Sequence, residues 1–229
     1  MKGTLYGIGV GPGDPELLTI KALRVIKTAD VIAVPGQCVT ESIAYKIVKQ
    51  IYEELDEKEL IALPMPMTKN EEMLKKNHDQ AADTVRNLLD QGRSVAFLTL
   101  GDPTVYSTYL YVHKRIREAG YETEIINGIP SFCAVAARLN MGLVEKAEPL
   151  HVIPASYQIE DALELSGTKV LMKAGKKIAA VKEKLLCGKA EGMMIENCGM
   201  KDEKIYQSIE EIPETAGYYS LIVIKEKGE

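Results

Sequence analysis

The chain has 229 residues, of which 46% are hydrophobic and 27% charged, and its formal net charge is −5. This composition indicates a globular protein and excludes global disorder, and at about 100–150 residues per domain the length suits one large or two compact domains. The mild acidity argues against a dedicated nucleic-acid binder, because such proteins usually carry a basic surplus. With no apolar stretch near the roughly 20 residues of a membrane-spanning helix and no Cys-x-x-Cys pair, we expect a reduced, cytoplasmic protein with no membrane partner and no metal site of its own.

The first half of the chain alternates strand-like and helix-like segments. Short apolar runs bounded by Gly or Pro predict the strands, and helical spacing of apolar residues predicts the helices. The predicted strands are 4–10, 31–34, 60–63 and 94–100, and the predicted helices are 17–28, 40–54, 71–91 and 104–118. Asn70 is a suitable N-cap for helix 71–91, and His78 in that charged helix is expected to be solvated.

The second half continues the alternation. The predicted strands are 121–126, 151–154, 169–173, 192–196 and 218–224, and the predicted helices are 132–139, 159–165 and 176–187. This order predicts an α/β protein with two α/β domains, 1–118 and 119–229, on mainly parallel sheets. The boundary is placed where helix 104–118 ends in a charged stretch closed by Gly120.

Four loops with distinctive chemistry follow predicted strands, at 9–14, 101–103, 128–131 and 197–199. Ligands of open α/β sheets bind at the carboxyl ends of strands, so these loops predict a binding site. The alternative is that Gly and Pro only form the turns that any α/β fold contains. For any single loop this alternative has about the same weight as a binding site.

The first loop resembles a dinucleotide-binding fingerprint but departs from it. Counted from Gly7 the third glycine position is Pro12, and counted from Gly9 it is Asp14. Asp30 precedes the second strand, whereas the ribose-binding acid should end it. The loop therefore favours a nucleoside without phosphates or a cationic ligand over NAD, unless Asp14 only caps the following helix.

Asp102 lies in a sharp turn after strand 94–100. A carboxylate at a strand end can bind a ribose hydroxyl or an ammonium group. By residue type alone Asp102 is more often the cap of a helix that begins at Pro103, because proline is favoured at the first helical position. Both interpretations stay open at this point.

Taken in order, these motifs resemble the tetrapyrrole methylase family, and the resemblance runs from residue 3 to about residue 225. Segments 101–109, 130–132 and 218–221 resemble the branch that methylates precorrin-2 at C-20, whose anaerobic form acts on the cobalt-containing equivalent, cobalt-factor II. The segments that carry the family resemblance are 9–19, 29–32, 101–103, 128–131 and 196–199.

The resemblance implies two α/β domains with a cleft between them, distinct from a Rossmann fold, and a homodimer. It implies S-adenosylmethionine as methyl donor and cobalamin biosynthesis as the setting. Two positions depart from the wider family, which often has threonine at Pro130 and glycine at Cys198. Pro130 has no N–H, so a donor hydrogen bond there must come from Ser131. The implied donor-binding residues are Pro12, Leu100, Gly101, Asp102, Val105, Pro130, Ser131, Met172 and Cys198.

The substrate that the resemblance implies is a polycarboxylate, so its binding surface should be locally basic within an acidic protein. Candidate substrate-binding residues are Gly13, Asp14, Tyr106 and Lys173, with Arg138 and 176–177 as further cations that are more often ordinary solvated charges. Tyr106, Tyr109 and His113 share a helical face that either lies against the macrocycle or packs in the core. The sequence identifies no catalytic residue and no general base.

Other functions remain as alternatives. Sibling enzymes of the same family act on uroporphyrinogen III, on later precorrins or on diphthamide. An NAD-dependent oxidoreductase is disfavoured by the glycine spacing, and a non-enzymatic nucleotide-binding module is a third possibility. Calorimetry with S-adenosylmethionine, S-adenosylhomocysteine and NAD separates these classes.

Overall fold

The computed structural model describes residues 2–66, 68, 70–154, 163–173, 175, 178–187 and 190–226. The chain divides into two compact units, Met1–Pro130 and Ser131–Glu229. Each unit contains a five-stranded sheet and helices, which confirms the predicted α/β class. None of the helices in the described ranges is long and apolar enough to cross a bilayer.

The first unit is built on a parallel sheet with strand order β3-β2-β4-β1-β5. The apolar residues of α1 and α2 pack on one face of the sheet and those of α3 and α4 pack on the other. Its elements are β1 (Leu5–Gly9), α1 (Ile20–Thr28), β2 (Val31–Pro35), α2 (Ile43–Lys49), β3 (Glu59–Leu63), α3 (Glu71–Asp90), β4 (Val95–Thr99), α4 (Tyr109–Glu118) and β5 (Thr123–Ile126).

The starts of the helices in this unit follow from local hydrogen bonds. The Asn70 side chain accepts the Met73 N–H at 3.0 Å, which confirms the predicted cap of α3. Thr19 accepts the Ala22 N–H in the same way, so α1 begins at Ile20 rather than at the predicted residue 17. The prediction of a helix from residue 104 is also wrong, because Tyr106 has a left-handed φ of 47° that an α-helix cannot include, and α4 begins only at Tyr109.

The second unit has strand order β6-β7-β10-β8-β9, and its pairing differs from the prediction. Among the described strands β6 and β7 pair in parallel, whereas β10 runs antiparallel to both β7 and β8, and β9 antiparallel to β8. The expectation of mainly parallel sheets therefore holds for the first unit and is wrong for the second. For β8 and β9 the physical reason is their short connection, residues 197–203, which is too short for the crossover that a parallel pair requires. Its elements are α5 (Ser131–Arg138), β6 (Leu150–Pro154), β7 (Thr168–Met172), α6 (Ile178–Cys187), β8 (Ala190–Glu196), β9 (Lys204–Tyr206) and β10 (Ser220–Glu226).

The division of the chain falls later than the predicted boundary at 118/119. Strand β5 pairs in parallel with β1, with Leu5 opposite Thr123, so it completes the first sheet. A charged helix end marks a turn in the chain, but strand pairing decides which unit a segment joins. The predicted helix 159–165 falls largely on residues outside the described ranges, as do residues 176–177.

Candidate functional site

Three glycine-rich loops of the first unit meet where β4, β1 and β5 end side by side in the sheet. Gly11 and Gly101 exchange backbone hydrogen bonds of 3.3 and 2.8 Å. A Cβ atom added at Gly9 would lie 2.5 Å from the Gly128 nitrogen and 2.6 Å from the Gly101 oxygen. The three backbones therefore touch directly, which only glycine permits.

Asp102 joins two of these loops. Its side chain is 5% exposed, and its Oδ1 atom accepts hydrogen bonds from the Thr104 N–H at 2.8 Å and from the Thr104 hydroxyl. Its Oδ2 atom accepts the Asn127 amide and the Gly128 N–H, each at 3.1 Å. Burial raises the pKa of the Asp102 carboxyl, but the hydrogen bonds from Thr104, Asn127 and Gly128 outweigh burial and hold the pKa below 3.8. The carboxylate is thus ionised and surrounded by donors of its own unit.

The remaining candidates in the first unit differ in exposure. Pro12 and Gly13 are buried, and Asp14 accepts the Glu16 N–H at 2.9 Å, so Asp14 caps a short helical turn. Leu100 and Val105 are half-buried beside Asp102. The first loop is therefore held by its backbone hydrogen bonds to Gly101 and by the Asp14 cap.

Two tyrosines of the predicted aromatic face take opposite environments. Tyr106 is 49% exposed and lies outside α4, whereas Tyr109 is fully buried in the core. The Tyr109 hydroxyl bonds the His113 Nδ1 atom at 2.9 Å, and burial raises the pKa of Tyr109 well above its ordinary value. Tyr109 therefore follows the core alternative, whereas Tyr106 is exposed in the loop before α4.

In the second unit the ends of β7 and β8 meet the start of β10 at one edge. Lys173 and Asn197 have left-handed φ values of 60° and 55°, and their N–H groups donate to the Ser220 and Tyr219 carbonyls at 3.2 and 3.1 Å. The Lys173 ammonium lies 5.7 Å from the ring centre of Tyr218, a cation–π arrangement. Two residues with left-handed backbone, one of which carries a cation, thus follow directly on the strand ends.

Glu196 is the buried carboxylate of this edge. It is 9% exposed, and its Oε1 atom accepts the Gly217 N–H at 2.6 Å. This hydrogen bond ties the end of β8 to the loop before β10. It is the counterpart in the second unit of the bond from Gly128 to Asp102.

The other candidates of the second unit lie around the same sheet. Ser131 is the first residue of α5, and Met172 and Cys198 pack with Val135 in the cluster that α5 covers. Arg138 forms an ion pair with Glu203 at 2.6 Å, so the structure gives it a structural partner.

Sequence reasoning missed Thr104 and Asn127 as partners of Asp102. Asn127 follows the end of β5 directly before Gly128. That position after a strand could have indicated a polar residue of the site. Among the described residues, no group of three or more His, Cys, Asp and Glu side chains is placed to hold a metal ion.

Known proteins resemble this chain over most of its length. Residues 4–213 match the family of Tetrapyrrole (Corrin/Porphyrin) Methylases. The chain belongs to this family. The expected resemblance is therefore confirmed over most of the sequence.

Two relatives of this tetrapyrrole methylase are similar over nearly their whole lengths. A probable cobalt-precorrin-2 C(20)-methyltransferase of Methanocaldococcus jannaschii is 39% identical, covering 96% of this chain and 95% of the relative. A cobalt-precorrin-2 C(20)-methyltransferase of Salmonella typhimurium is 30% identical, covering 100% of this chain and 99% of the relative. Among solved structures, the uroporphyrin-III-C-methyltransferase of Thermus thermophilus is 25% identical, with a TM-score of 0.70, over 99% of this chain and 93% of that one.

Proposed function

We propose that this tetrapyrrole methylase transfers the methyl group of S-adenosylmethionine to C-20 of precorrin-2 or of its cobalt-containing equivalent. The observation that carries the proposal is the identity of 39% and 30% to two proteins named for this reaction, each covered almost completely. The segments 101–109 and 218–221, which resemble the C-20 branch, support the same assignment.

The chemistry of the site suits a sulfonium donor. S-adenosylmethionine is the methyl donor and carries a positive charge at sulfur, so the loops need no phosphate-binding fingerprint. Methyl transfer is an in-line displacement onto an electron-rich carbon of the macrocycle. Alignment of the reactants can lower the activation barrier by about 7–11 kcal/mol. The chain's own part is to hold the donor and acceptor in line, which suits loops fixed by backbone contacts.

The donor-binding residues are part of the proposal. In the first unit they are Pro12, Leu100, Gly101, Asp102 and Val105, around the loop contact described above. In the sequence that follows they are Pro130, Ser131, Met172 and Cys198. The N–H of Ser131 takes the place of the N–H that Pro130 lacks.

Substrate binding is assigned to a smaller set. Gly13, Asp14, Tyr106 and Lys173 are the proposed substrate residues, and Lys173 supplies the cation that a substrate carboxylate requires. Its backbone N–H donates to the Ser220 carbonyl, and its ammonium lies 5.7 Å from the ring centre of Tyr218. The removal of the C-20 proton after methyl transfer has no assigned base.

Cytoplasmic location and a homodimer are proposed from the composition and the family resemblance. Neither nucleic acid nor a membrane is proposed as a partner. Size-exclusion chromatography with light scattering tests the dimer, because a homodimer elutes at twice the mass of the 229-residue chain.

Incubation of the purified protein with methyl-labelled S-adenosylmethionine and each tetrapyrrole tests the reaction. We expect one labelled methyl group at C-20 of precorrin-2 or its cobalt form, located by NMR. Uroporphyrinogen III and a later precorrin serve as controls for the sibling reactions. Methylation of a control substrate alone, or of another carbon, contradicts the proposal, and calorimetry with NAD tests the oxidoreductase alternative.

A further inference from the structure

The carboxylate of Asp102 is enclosed by hydrogen-bond donors from two loops of the first unit. On one side it bonds Thr104, in its own loop after β4. On the other side it bonds Asn127 and Gly128, in the loop after β5. We infer that Asp102 is a positioning residue, which ties the loop after β4 to the loop after β5 and so places the backbone that the methyl donor meets. This inference rests on the proposed function and changes the role of Asp102 within it from ligand to support.

The capacity of the carboxylate favours support over direct binding. A carboxylate accepts about four hydrogen bonds, two at each oxygen, and four donors already occupy the two oxygens of Asp102. The residue is 5% exposed, which leaves little surface for a ligand. A ribose hydroxyl would have to displace a donor that is already in place.

The backbone contacts explain why this tie matters for the donor. The Gly101 oxygen lies against both Gly9 and Gly128, at distances that leave no room for a Cβ atom. A shift of the loop after β5 therefore moves the Leu100-Gly101 turn, which carries proposed donor-binding residues. Misplacement of reacting groups by about 1 Å can cost roughly a hundredfold in rate.

Double-mutant cycles test whether the hydrogen bonds of Asp102, here called the tie, connect the loops after β4 and β5. Asn127→Ala removes one donor to Oδ2, Thr104→Val removes one donor to Oδ1, and Asp102→Asn replaces one acceptor oxygen by an N–H₂ group. We expect Asp102→Asn to weaken S-adenosylhomocysteine binding about tenfold or more by calorimetry, and Asn127→Ala several-fold. The double variant Asp102→Asn/Asn127→Ala is expected to bind S-adenosylhomocysteine about as weakly as Asp102→Asn alone, because the effects of substitutions within one hydrogen-bond network do not add. Asn77→Ala on α3 is the matched control, with wild-type affinity expected.

Kinetics separate positioning of the donor from a general loss of structure. We expect the variants to raise KM for S-adenosylmethionine and to lower kcat at saturating donor, while KM for the tetrapyrrole changes by less than about twofold. Hydrogen exchange of the Gly128 amide, measured without any ligand, is expected to speed up in Asp102→Asn. If Asp102→Asn does not fold, Asn127→Ala and Thr104→Val carry the test.

Three outcomes overturn the inference. Wild-type donor affinity in both Asn127→Ala and Thr104→Val, together with loss in Asp102→Asn, shows direct contact of Asp102 with the donor. Wild-type affinity in all three variants shows that the tie does not place the donor. Unchanged exchange of the Gly128 amide in Asp102→Asn shows that the tie itself is absent. By contrast, failure of the unmodified protein to bind S-adenosylhomocysteine rejects the proposed function, whatever the Gly128 amide does.

Discussion

The two units hold a glycine loop at a sheet edge in similar ways but to different degrees. In the first unit Asp102 accepts hydrogen bonds from Thr104, Asn127 and Gly128. In the second unit the described hydrogen bonding of the Glu196 carboxylate is with the Gly217 N–H. Parallel strands place their carboxyl ends at the same edge, so the loops after β4 and β5 lie close enough for one carboxylate to bond both. In the antiparallel part of the second sheet, β10 starts where β8 ends, and one hydrogen bond suffices.

The largest effect is expected from Gly128→Ala in the first unit. The added Cβ would lie 2.7 Å from the Gly9 carbonyl carbon and also overlap the Gly101 oxygen, so the loops must separate. We expect a loss of about 3 kcal/mol or more in unfolding free energy and no measurable methyl transfer. Gly142→Ala is the control, since its Cβ meets nothing closer than 3.9 Å. Equal stability of the two variants in urea denaturation would contradict the close contact.

Substitutions of the Asp102 and Glu196 carboxylates are expected to have smaller and unequal effects on stability. Asp102→Asn is expected to lower the unfolding free energy by about 1–3 kcal/mol, because its N–H₂ group faces donors and leaves them unsatisfied. Glu196→Gln is expected to cost less than about 1 kcal/mol, because its amide oxygen can still accept the Gly217 N–H. Thermal and urea unfolding of both variants measure the difference. Equal losses of unfolding free energy would mean that Asp102 and Glu196 stabilise their sheet edges to the same extent.

The ion pair of Arg138 offers a weaker test of the second edge. Glu203 accepts both Arg138 at 2.6 Å and the Gly199 N–H at 2.8 Å, so the pair supports the turn after β8. Because the Arg138 side chain is 58% exposed, Arg138→Gln is expected to cost less than about 1 kcal/mol. The KM for the tetrapyrrole should stay unchanged, with Arg138→Lys as control. A large rise in that KM would instead restore Arg138 as a carboxylate-binding residue.

The smallest effect is a pH dependence that belongs to the first unit. Burial and the nearby Arg115 lower the pKa of His78, and burial and Arg117 lower that of His113. A lowered pKa in the folded state means that stability is present above the unfolded value of 6.5 and is lost as the pH falls through the folded value. We expect the unfolding midpoint to drop between pH 7.5 and pH 5.

His78→Gln tests whether His78 contributes to this drop. The substitution removes the titrating group but also the stacking on Tyr111, whose ring centre lies 4.3 Å away. The variant should therefore be less stable at pH 7.5 and show a shallower pH dependence. An unchanged slope would show that His78 does not contribute to it.

Sequence patterns predicted the local features of the fold well. The alternation of strands and helices, the Asn70 cap and the loops at strand ends depend on neighbouring residues, and the structure contains them. The prediction for His78 was wrong, because a charged helix is solvated only on the face that other elements leave uncovered. His78 is 7% exposed since α4 packs against α3 there.

The sequence by itself determined the α/β class, the family and the set of loops that carry the candidate site. The tertiary structure decided that β5 belongs to the first sheet, that the second sheet is largely antiparallel and that Asp102 faces Asn127 and Gly128. The physical reason is the range of the interactions. Caps, turns and periodicity act within a few residues, whereas the partner of a strand or of a buried carboxylate is chosen by long-range packing.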